Sequence, residues 1–115
     1  MVAEVMDMSA RELADYVTDQ LSGLEGIRRT PMMGGYIFYI NNRIFGGIYE
    51  PGVMVKITEA SRRAMPDAEP MPPYEGAKPM LPVTNLDDRE AFSRMVLEMY
   101  DELPEPKPRK RRPKA

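Results

Sequence analysis

Cysteine, histidine and tryptophan are absent from this 115-residue chain. Without cysteine there is no disulfide, no thiolate nucleophile and no thiolate zinc site. Without histidine the commonest general base and the commonest metal ligand are missing, which excludes Ser-His-Asp and Cys-His catalysis. No apolar run approaches the roughly 18 residues that span a membrane. The opening MVAEVMDMSA is acidic and lacks the basic and apolar regions of a signal peptide, so the cytoplasm is the expected location. Glycine pairs occur at 34–35 and 46–47, but G-x-G-x-x-G spacing does not, so no phosphate loop is expected.

What is present suits one domain, since 43% hydrophobic residues can close a single core. The formal net charge of −2 hides an uneven distribution. Residues 1–103 carry ten Lys/Arg against seventeen Asp/Glu, whereas 104–115 carry six Lys/Arg against one acid, Glu105. That last segment, PEPKPRKRRPKA, interleaves proline with basic residues and has no apolar anchor. The expected organisation is a flexible N-terminus over 1–8, a folded domain over 9–103 and a disordered basic Pro-rich tail over 104–115.

Residues 32–58 carry most of the fold information. Tyr36–Ile40 is aromatic and β-branched, which suits a pleated surface. Asn41-Asn42 suits a two-residue hairpin turn, because Asn tolerates positive φ. Over 43–49, alternation puts Ile44, Gly46 and Ile48 on one face and Phe45, Gly47 and Tyr49 on the other. Glu50-Pro51-Gly52 is a second turn. Val53, Val55 and Ile57 then oppose Met54, Lys56 and Thr58, as in a half-buried strand. These runs make an antiparallel meander, with a short strand from Ile27 to Thr30 leading in. The glycine pairs mark a bulge and close packing.

Ser9-Ala10-Arg11-Glu12 is a capping box that opens a helix running to Leu21 or Ser22, with Leu13, Tyr16, Val17 and Leu21 on its apolar stripe. A short helix is expected over 59–65, capped near Thr58. Pro66 to Pro73 cannot be helical and is expected as a surface loop. Residues 78–83 suit an edge strand, because Pro79 and Pro82 bar a central position. Asn85 is expected to cap a last helix from Leu86 to Leu103. The fold class is therefore α+β: two layers, an antiparallel β-meander with N-terminal and C-terminal helices packed on it.

No catalytic, cofactor-binding or metal-binding residues stand out. Glu75, Asp87 and Asp88 offer acid–base or hard-cation chemistry, but a helix first turn accounts for the two aspartates. The candidate partner surface is Tyr36, Tyr39, Phe45 and Tyr49 with Met54, which alternation turns away from Val53 and Val55. Candidate nucleic-acid contacts are Lys107, Arg109, Lys110, Arg111, Arg112 and Lys114, with Arg28, Arg29, Arg62 and Arg63 extending the footprint.

MMGGYIFYINNRIFGGI at 32–48 resembles the M-[FM]-G-[GE]-Y stretch and following hairpin of TfoX/Sxy-type N-terminal domains. VMVKITEASRRAM and YEGAKPMLPV are similar to that family's next strands, and the likeness covers roughly residues 10–103. The resemblance implies a two-layer α+β fold and supplies no catalytic residues. Its founding members regulate natural competence together with the cyclic-AMP receptor protein, and carry a second, helical domain that is not expected within these 115 residues. The functional expectation is a non-enzymatic bacterial regulatory or adaptor module acting by protein–protein contact. It would need no cofactor and no membrane, with an unknown protein partner or a homodimer. The alternative is a nucleic-acid-associated transcription or competence regulator that uses the basic tail.

Overall fold

The computed structural model describes residues 9–105. The expectations for 1–8, and the candidate contacts Lys107, Arg109, Lys110, Arg111, Arg112 and Lys114, lie outside the described residues. The elements run α1 (Ala10–Gln20), β1 (Ile27–Met32), β2 (Gly35–Ile40), β3 (Arg43–Tyr49), β4 (Gly52–Val55), α2 (Glu59–Ala64), β5 (Leu81–Pro82) and α3 (Arg89–Met99), then a 3-10 turn, Tyr100–Glu102. The strands form one antiparallel sheet in chain order. This is the α+β meander with terminal helices that the sequence implies.

Local chemistry explains the element ends. Ser9 Oγ accepts from the Glu12 N–H at 3.1 Å while Glu12 Oε1 accepts from the Ser9 N–H at 3.0 Å, closing the capping box of α1. Thr58 and Ser61 do the same for α2. Asn41 and Asn42 both take positive φ, 48° and 72°, so β2 and β3 join through the left-handed turn that their side chains tolerate. The last helix starts later than expected. Asp88, not Asn85, is its N-cap, with its side chain accepting from the Ala91 N–H at 3.0 Å. Asn85 instead opens a turn whose carbonyl accepts from the Asp88 N–H at 3.1 Å.

The core lies between the helices and one sheet face. Phe38, Ile40, Phe45, Ile48 and Val55 from the sheet meet Leu13, Val17 and Leu21 of the α1 region and Phe92, Met95, Val96 and Met99 of α3. Each such side chain contributes about 1.5–3 kcal/mol when removed from water. Simple alternation in β3 fails at Phe45. Tyr39 pairs with Ile44 but Phe38 pairs with Gly46, so Phe45 is the extra residue of a bulge. The bulge swings Phe45 onto the core face, with its ring centroid 6.0 Å from that of Phe38. Gly46 is required beside it, because a Cβ there would overlap the Met54 carbonyl of β4.

The Pro-rich connection is more than a surface loop. Met71 and Met80 exchange two backbone hydrogen bonds at 2.9 Å, which clasps 71–80 into a closed excursion. Pro73 inside it is buried, and Tyr74 reaches β3. Strand β5 is only Leu81–Pro82; the Val83 N–H still reaches the Val53 carbonyl of β4 at 3.0 Å, so the Pro82 nitrogen faces the open edge, where no ladder bond is lost.

Candidate functional site

The sheet face opposite the helices carries the unexplained side chains. Register aligns Arg28, Tyr39 and Ile44 in one row across β1, β2 and β3. A second row runs Thr30, Ile37, Gly47, Met54 and Pro82 across all five strands. Tyr49 lies next along β3, and its ring passes the bare Gly47, where a Cβ would crowd it at 3.1 Å. The Tyr49 ring packs against Tyr74 of the clasped loop, centroids 6.2 Å apart. Burial, aided by Tyr74, pushes the Tyr49 hydroxyl above its ordinary pKa of 10.0.

Two clefts flank this tyrosine pair. One, about 590 Å³, lies between the Met32–Met33 hairpin end, Tyr49 and Tyr74. The other, about 480 Å³, is floored by Ile37, Ile44, Tyr49 and Tyr74 and includes Lys56 and Lys78 in its lining. Three exposed large apolar side chains line them: Met33 at 93%, Tyr74 at 63% and Ile44 at 37%. Leu97 on α3, 55% exposed, stands apart from this group.

The expected partner surface is redistributed. Tyr39 and Tyr49 do face outward, and Arg28 stacks on the Tyr39 ring at 4.1 Å. Tyr36 lies on the helix side, packed against the core edge under Arg29. Phe45 is 1% exposed, because the bulge turned it inward. Met54 is 0% exposed. It does face away from Val55, but it sits in a separate apolar layer on the clasped-loop side and does not join the main core. Sequence reasoning missed Ile44, Lys78 and Tyr74 as site residues. The only signal was a large aromatic in a Pro-rich loop, and nothing local says where such a loop lies.

The four candidate arginines do not form a patch. Arg28 is on the outer face, whereas Arg29 is on the helix side and pairs with Asp15 at 2.7 Å. Arg62 and Arg63 are exposed on α2. The acidic candidates have structural roles: Asp88 caps α3, and Asp87 accepts from the Tyr16 hydroxyl at 2.7 Å. That hydrogen bond, with some burial, holds the Tyr16 hydroxyl above its ordinary 10.0. Among the described residues no three acidic side chains are placed to hold a metal ion, and no helix is long and apolar enough to cross a membrane.

The fold and this face define a small α+β domain with an exposed aromatic–aliphatic surface. No protein-family model matches the chain, and no solved structure matches it. A protein of Spirochaeta aurantia, described as an uncharacterized 12.7 kDa protein in the trpE 5' region, is 28% identical to it over 103 residues, covering 89% of this chain and 90% of that protein.

Proposed function

We propose that the chain is a non-enzymatic regulatory or adaptor module of the TfoX N-terminal type, acting in the bacterial cytoplasm by protein–protein contact through its outer sheet face. One observation carries this: among the described residues, three of the five exposed large apolar side chains, Met33, Ile44 and Tyr74, line the two clefts beside Tyr49. Contiguous exposed apolar surface of this kind marks an interaction site. The test is a photo-crosslinking amino acid placed at Tyr74 or, as control, at Leu97, in cells. A discrete adduct from position 74 and none from position 97 is expected. A product at twice the chain mass identifies the partner as a second copy. Equal, diffuse labelling from both positions overturns the proposal.

The six basic residues of 104–115 favour a second reading, a nucleic-acid-associated regulator. Against it, residues 9–105 hold ten Lys/Arg and sixteen Asp/Glu, a net −6 that repels polyanions.

A further inference from the structure

The 480 Å³ cleft differs in charge from the body around it. Lys56 and Lys78 line it, and no Asp or Glu does. Neither lysine forms an ion pair among the described residues. Arg28, in the row that ends at Ile44, is likewise committed only to the Tyr39 ring. Lys56 is half-buried beside Ile37, Ile44 and Tyr49. An ammonium partly withdrawn from water at an apolar wall gains most from an anion arriving with apolar surface of its own. On a body of net −6, two unpaired lysines form a positive island that also orients an approaching acidic segment.

We propose that this cleft takes a linear segment of a partner protein in which a large apolar side chain stands beside Asp or Glu. The apolar side chain enters between Ile44 and Tyr74, and the carboxylate meets Lys56 and Lys78. Charge selects against this chain's own basic C-terminal residues, which the two lysines repel. The inference rests on the protein-contact reading above and specifies the partner's chemistry.

The test is selection of a random peptide library displayed on phage against the full chain. Affinities of the selected peptides are then measured for wild type, Lys78→Glu and Lys56→Glu/Lys78→Glu. The expected winners join Phe, Leu, Ile or Trp to Asp or Glu. Lys78→Glu should weaken them several-fold and the double reversal about tenfold or more. Lys78 is exposed, so its single variant keeps the test valid if the double variant loses its fold by circular dichroism. Winners rich in Lys or Arg, winners lacking acids, affinities unchanged by Lys78→Glu, or no enrichment each overturn the acidic-segment inference. If position 74 still crosslinks a partner in cells, the contact reading survives that failure. If it does not, both fall.

Discussion

The Glu102 carboxylate accepts hydrogen bonds from the backbone N–H groups of Glu59 at 2.7 Å and Ala60 at 3.0 Å. The 3-10 turn after α3 therefore caps the first turn of α2, 43 residues earlier in the chain. A negative group is favourable there, where unsatisfied N–H groups and the helix dipole point outward. Glu102→Ala should cost about 1 kcal/mol, and Glu102→Gln roughly half that, because the amide keeps an acceptor but not the charge. Chemical denaturation measures both, and equal losses would make the charge irrelevant.

Arg43 fastens the segment 100–105 that follows α3 in a similar way. Its guanidinium donates to the Tyr100 carbonyl at 3.1 Å, lies 4.3 Å over the Tyr100 ring and pairs with Glu105 at 3.7 Å. Lys has neither the planar stacking surface nor the fork of donors. Arg43→Ala should destabilise by about 1–3 kcal/mol, with Arg43→Lys recovering less than half. Thermal unfolding of the three proteins decides this, and full rescue by Lys would rule out the stacking account.

Gly46 sits where β3 and β4 approach too closely for a side chain. Gly46→Ala should cost at least about 2 kcal/mol by forcing the Met54 carbonyl away. Gly34, with φ +75° and open space around it, should lose far less, about 1 kcal/mol, through backbone strain alone. The ratio of the two losses, read from urea midpoints, separates overlap from conformation.

Tyr16 gives a pH signature. Its hydrogen bond to Asp87 requires the phenol to keep its proton, so the folded state holds that proton more tightly than the unfolded state. The stabilisation is fully present below 10.0, the ordinary pKa, and fades as pH rises through the raised folded value. Tyr16→Phe should flatten that alkaline loss relative to wild type. Tyrosinate absorbance should show one fewer late-titrating phenol, and an unchanged curve would remove the hydrogen bond from the account.

The basic segment makes its own prediction. Short duplex DNA titrated into full-length chain and a 1–103 version, at low and physiological salt, should bind the acidic body negligibly. Salt-sensitive binding lost on deletion would establish the nucleic-acid reading. Salt-sensitive binding that survives deletion would move the contact to the folded domain and count against the outer-face proposal.

The capping box at Ser9, the Asn41-Asn42 turn and the meander were legible in the sequence, because each depends on residues within a few positions of one another. Three features were decided by tertiary contacts. Phe45 points inward because the pairing of β2 with β3 slips by one residue, which alternation within β3 alone cannot reveal. Asp88 outcompetes Asn85 as cap once Leu86 is buried between them and Gln20 donates to the Leu86 carbonyl at 2.7 Å. Met54 is hidden, and Tyr74 displayed, because a Pro-rich loop folds back over the outer face through the Met71–Met80 clasp. Composition sets that loop's refusal to be helical, but only long-range packing sets where it lies, and the clefts exist because of where it lies.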